Sequence, residues 1–75
     1  MKIGQAVTVS SPYVDVTGAI VGVGNDQVLV ELFPDSAKTF FDIYIHLNPK
    51  SKLKFTKRRD GSYRLVGFVT IVLHY

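Results

Sequence analysis

Seven of the chain's nine Lys and Arg residues fall between positions 50 and 64: Lys50, Lys52, Lys54, Lys57, Arg58, Arg59 and Arg64. Cations at this density contact anionic partners, either a nucleic-acid backbone or the carboxylates of an acidic protein. Phe68 lies close by in sequence and offers a ring on which an unstacked base could sit. The same lysines would also keep an edge hairpin soluble, since Lys on an exposed edge blocks aggregation. A second group is aromatic: Phe33, Phe40, Phe41 and Tyr44, with Tyr13 in an earlier loop. Of these, Tyr13, Phe33, Phe40 and Tyr44 are the candidate protein interface, and Phe40 and Tyr44 would otherwise fold over the end of the domain.

Catalytic chemistry finds little support. His46 and His74 are far apart in sequence, without metal-ligand spacing and without Cys. Asp42 and His46 would share a strand face, but about 13 Å apart at the usual strand rise. Ser10, Ser11 and Ser36 have no evident base or orienting partner. Gly22-Val23-Gly24 is followed by no Gly-Lys-Ser/Thr run, so it is not a phosphate loop. The expectation is a protein without catalytic activity, cofactor or metal.

The cations depend on the geometry of a hairpin whose register can be worked out. Asp60-Gly61 is a turn signal that permits two loops. With two loop residues, Arg59 faces Ser62, and Lys52 and Lys54 share a face with Leu65, Val69, Ile71 and Leu73. With three, Arg59-Asp60 make a type I turn, Gly61 takes the left-handed position, and Arg58 faces Ser62. Leu53 and Phe55 then join Tyr63, Leu65, Val69, Ile71, Leu73 and Tyr75 inside. Lys52, Lys54, Thr56 and Arg58 join Ser62, Arg64, Val66, Phe68 and Thr70 outside. A slip of one residue inverts every side chain, so burial selects the three-residue loop. Residues 62–75 greatly exceed the usual ~5–6 of a strand, so a bend at Gly67 is expected, with the strand serving two neighbours.

Upstream, residues 5–10 alternate, with Val7 and Val9 on one face. Ser11-Pro12-Tyr13 ends that strand. Residues 17–23 (TGAIVGV) make a second, with Gly18 and Gly22 as points of bending or close approach. After a turn at Gly24-Asn25-Asp26, residues 27–33 make a third, with Val28, Val30 and Leu32 on one side and Leu29, Glu31 and Phe33 on the other. Pro34-Asp35-Ser36-Ala37 reads as another turn. Residues 39–47 (TFFDIYIHL) read as a fourth strand, rich in aromatic and β-branched types, which Asn48-Pro49 ends. No window combines helical period with helix caps, which leaves room only for a single helical turn near Asp35 or Asn48. Several short strands joined by brief turns predict an all-β domain, a small barrel or compact sandwich spanning residues 1–75.

Composition sets limits. A 75-residue chain buries only about 60% of its unfolded surface, and without Cys it has no disulfide to reinforce it. At 47% apolar residues, homo-oligomerisation is a natural source of extra stability. No stretch approaches the ~18 apolar residues of a membrane helix, and no signal-peptide core follows Met1-Lys2. The expectation is a cytoplasmic protein without membrane association. Charge is divided: residues 1–49 hold two bases and five acids (−3), and residues 50–75 hold seven bases and one acid (+6). Such asymmetry suggests an anionic partner.

Two resemblances add to this. Val7-Thr8-Val9, Ser11-Pro12-Tyr13, Gly18-Ala19-Ile20-Val21-Gly22-Val23 and Val28-Leu29-Val30-Glu31 resemble the KOW-type SH3-like barrel of elongation factors and ribosomal proteins. Ser11 stands where that family usually has Gly. The likeness covers about a third of the chain and implies an SH3-like barrel of five to six short antiparallel strands, closed here by the C-terminal hairpin; relatives bind RNA or proteins. More faintly, Gly18-Ala19-Ile20-Val21-Gly22 and Asp42-Ile43-Tyr44 resemble the plasmid-encoded type II dihydrofolate reductases, small barrels that work as tetramers. The functional Gln of that family would fall at Asp42, whose carboxylate cannot donate amide hydrogen bonds and would repel folate. The expected function is therefore a binding module, through the basic hairpin face and the aromatic strand. Its partner would be an acidic protein or, alternatively, RNA or single-stranded DNA.

Overall fold

The computed structural model describes residues 1–47 and 52–75. Six strands run β1 (Ala6–Ser10), β2 (Asp15–Gly24), β3 (Gln27–Leu32), β4 (Leu53–Lys57), β5 (Tyr63–Leu65) and β6 (Phe68–His74). Each pairs antiparallel with the next, and β6 pairs with β1, closing the barrel. The result is a small, mostly β domain consistent with an SH3-like barrel. Alternation works as the sequence requires: Val7, Val9, Val16, Ile20, Val28, Val30, Leu53, Phe55, Leu65, Ile71 and Leu73 point inward and are buried.

The three-residue hairpin loop is present. Phe55 lies opposite Leu65 and Thr56 opposite Arg64. The Arg58 amide donates to the Ser62 carbonyl, the Gly61 amide donates to the Arg58 carbonyl, and Gly61 has φ 86°. Gly18 is a point of close approach, because a Cβ there would stand 2.5 Å from the Glu31 carbonyl oxygen.

Two expectations are corrected. Residues 62–75 do not form one bent strand. The chain reverses at Val66-Gly67, where Gly67 has φ 84°, and β6 runs back along β5. A register shift follows, with Leu65 opposite Phe68 but Arg64 opposite Val72. Between the reversal and the register shift the alternation is displaced, so Phe68, expected outside, packs half-buried against the core, while Ile71 and Leu73 beyond the shift point inward as expected. Val69, expected inside, is 51% exposed. Tyr75 is also exposed and meets Tyr63 edge-on.

The fourth strand expected over residues 39–47 is replaced by a helix, α1 (Pro34–Ile43). Pro34 occupies the first turn, where its missing N–H costs nothing, and Asp35 complements the helix dipole there. Phe33 before it is extended, as a residue preceding Pro prefers. Ala37, Phe40, Phe41 and Tyr44 follow at helical spacing and face the barrel. Hydrogen bonds at Thr17 fasten the start of α1 to β2: the Thr17 amide donates to Ser36 Oγ at 3.0 Å, the Thr17 and Ser36 hydroxyls lie 3.1 Å apart, and the amide of Phe33, just before the helix, donates to the Thr17 carbonyl at 3.1 Å. The expected strand end at Asn48-Pro49, and Lys50, lie outside the described residues.

Candidate binding surface

The basic surface follows β4 and the turn after it. Lys52 precedes β4, Lys54 points outward from its middle, and Lys57, Arg58 and Arg59 lead into the turn; all five are exposed. The Lys57 amide donates to the Asp26 carbonyl at 2.8 Å, which ties this turn to the β2–β3 loop. An open depression of about 520 Å³ lies among Thr56, Lys57, Arg58, Arg59 and Asp60.

Asp60, the single acid in the C-terminal third, is committed to its own loop. Its Oδ1 accepts from the Ser62 amide at 2.9 Å and from the Ser62 hydroxyl at 2.6 Å. The Ser62 hydroxyl first, then its amide, then the Arg64 and Arg58 guanidinium groups hold the Asp60 carboxyl below its ordinary value.

Arg64 differs from the other cations. Its Nε donates to Ser62 Oγ at 3.1 Å, its Nη1 donates to the Val69 carbonyl, and its Nη2 lies 3.8 Å from Asp60 Oδ2. Val69 sits within the register shift of β6, so Arg64 braces an irregular stretch of strand. It belongs to the scaffold and is half-buried. Among the described residues, the pair it makes with Asp60 is the only ion pair.

Phe68 does not join the basic face. Its ring lies 5.4 Å from His46 and 6.5 Å from Tyr44, within an aromatic cap that includes Phe40 and Phe41. The aromatic set expected as an interface is divided in the same way. Phe40 is 0% and Tyr44 8% exposed, so both are core and neither is available to a partner. A four-residue spacing on a helix directs both rings onto the barrel. Tyr13 is 76% exposed, with its ring 6.4 Å from Tyr44, and Phe33 is 44% exposed. Phe33 lines a separate groove of about 490 Å³ with Ala6, Thr8, Thr17, His74 and Tyr75.

A smaller groove of about 290 Å³ lies on the outer face of β2 and β3. Gly22 and Gly24 form its floor, with Leu29, Gln27 and Lys54 beside them. Its one sequence signal is a pair of glycines two apart in a strand, which removes side chains from a single face.

Ser10, Ser11 and Ser36 are each engaged in a hydrogen bond within the scaffold. Ser10 Oγ donates to Asp15 at 2.8 Å, Ser11 Oγ donates to the Val14 carbonyl at 2.7 Å, and Ser36 Oγ binds Thr17. Among the described residues, no three His, Cys, Asp or Glu side chains gather where they could hold a metal. No described helix is long and apolar enough to cross a membrane. Comparison of the chain with protein-family models, curated proteins and solved structures gives no match.

Proposed function

We propose that this barrel is a non-catalytic binding module that docks an acidic segment of another protein on the surface of β4 and its following turn. One observation carries the reading. Lys52, Lys54, Lys57, Arg58 and Arg59 are all exposed, while the acid nearest them in sequence is bound to Ser62 and Arg64. An uncompensated set of cations on one rigid hairpin draws in an anionic partner and fixes its orientation. Recognition of single-stranded nucleic acid depends on rings that stack with bases. The ring expected for that work, Phe68, packs against His46 and Tyr44 instead, which favours carboxylates over bases.

The test is fluorescence anisotropy with a labelled poly-Glu peptide and a labelled oligo-U RNA, at low and physiological salt. The protein is compared with a triple variant, Lys54→Glu, Arg58→Glu and Arg59→Glu. Arg64 is left intact because it braces β6. The peptide should bind the parent and lose its affinity in the triple variant, whose circular dichroism should be unchanged. Two outcomes contradict the reading. In one, the triple variant binds the peptide as well as the parent does. In the other, the RNA binds more tightly than the peptide, with log K falling by about 0.7 per phosphate contact against log salt.

A further inference from the structure

The groove at Gly22 and Gly24 suggests what such a segment carries besides carboxylates. Gly22 lies opposite Leu29 on β3, and Leu29 lies opposite Lys54 on β4. One row across the outer face of three strands therefore reads bare backbone, apolar wall, cation. Gly24 lies opposite Gln27 and widens the floor. Leu29 and Gln27 lean towards the two glycines, since a Cβ on Gly22 would stand 3.2 Å from Leu29 Cδ1 and one on Gly24 would stand 3.2 Å from Gln27 Cγ, and the groove lies beside these side chains. At about 290 Å³ the groove is at or below the small end of ligand pockets, a size suited to one side chain.

Access is open on one side. Pairing between β1 and β2 ends at Ala6 and Ala19, and the last backbone bonds join Gly4 and Gln5 to Ile20. Beyond Ile20 the register shifts, and among the described residues β2 is paired with β3 alone. Glycine in a strand lets another backbone approach closely, and Lys54 borders the floor with a charge complementary to an acidic chain.

We infer that the acidic segment docks in extended form, laying one small apolar side chain over Gly22 and Gly24 against Leu29, with a neighbouring carboxylate on Lys54. This rests on the acidic-segment reading above and adds specificity to it. Charge alone would accept any polyanion, whereas an apolar contact distinguishes among acidic sequences.

The experiment uses two labelled poly-Glu peptides, identical except for a central Val or a central Ser. On the parent protein the Val peptide should bind about tenfold more tightly, the value of burying one small aliphatic side chain. Gly22→Val fills the groove from within and should abolish the preference for the Val peptide over the Ser peptide. Leu29→Ser, at a half-exposed outward position, removes the apolar wall without adding bulk and should also abolish the preference. It keeps the test valid if Gly22→Val fails to fold. Equal affinity of the two peptides for the parent, or a preference that survives Leu29→Ser, overturns the inference while acidic docking stands. Failure of both peptides to bind the parent overturns the acidic-segment reading and this inference with it.

Discussion

Replacing Phe40 with Ala should remove much of the domain's stability. The ring is fully buried beneath α1, 5.3 Å from Phe41 in an edge-on contact and 4.7 Å from Tyr44. Losing about 120 Å² of buried apolar surface at about 25 cal/mol per Å² costs about 3 kcal/mol. The lost aromatic contacts and the residual cavity bring the total to about 4 kcal/mol, within the usual range for Phe→Ala in a core. A chain of this length has a total stability of only about 4–11 kcal/mol. At about 4–8 °C per kcal/mol, the Tm should fall by more than about 15 °C. Thermal unfolding followed by far-ultraviolet circular dichroism reads this directly. A variant that melts within about 5 °C of the parent would refute the seating of α1 on the barrel.

A companion variant separates the helix from the strand that the composition suggests. Lys38 is exposed on α1, past the first turn. Lys38→Pro there loses a hydrogen bond and clashes with the preceding turn, a cost of about 3 kcal/mol. If residues 34–38 were a turn leading into a strand, Pro at this position would be nearly neutral. A neutral Lys38→Pro would therefore count against the helix itself, whatever Phe40→Ala does.

Two further predictions concern the scaffold. Gly18→Ala places a methyl 2.5 Å from the Glu31 carbonyl oxygen and 2.9 Å from the Leu32 Cα, both backbone atoms, so β2 and β3 must separate. The variant should melt well below the parent, and an unchanged Tm would show that the two strands are not held at this distance. Asp60 titrates below its ordinary value when folded. Its contribution is thus fully present above the ordinary carboxylate value and disappears as pH falls through the lower folded value. The Tm advantage of the parent over Asp60→Asn should shrink across that acidic window, and a pH-independent difference would refute the assignment.

The hairpin of β4 and β5 was legible because two local facts agreed. Asp60-Gly61 restricted the loop, and one residue of slip would have exposed Leu53 and Phe55 while burying Lys52 and Lys54. The reversal at Gly67 was less legible. Val66 is not a residue that announces a turn, so the stretch from Ser62 onward looks like one apolar strand. Read as one strand, the stretch turns Phe68 outward, whereas it packs against the core. The role of Arg64 was hidden for a related reason. Its alternation correctly directs it outward, but its chief acceptor is a carbonyl of Val69, in a register shift created by the reversal. The Gly22 and Gly24 groove depends on β3 and β4 supplying Leu29 and Lys54, a juxtaposition that comes with strand pairing.

The segment after Pro34 shows where pattern alone failed and which residue settled the outcome. Phe40 and Tyr44 are four apart, and an offset of four falls on one face in a strand and close to one face in a helix. Aromatic and β-branched content then favoured the strand. Asp42 separates the two. On a strand it would sit between Phe40 and Tyr44 on the same buried face, and a carboxylate there would need a partner to offset its desolvation. On a helix it is turned about 200° from Phe40, and Asp42 is indeed exposed. Ala37 supports this, three residues before Phe40 and packed against the same core. The barrel adds a reason of its own. Because β1 through β6 already close on one another, a seventh strand would find no full-length edge to pair with. A helix satisfies its own backbone and needs from the barrel only an apolar surface, which Phe40, Phe41 and Tyr44 cover.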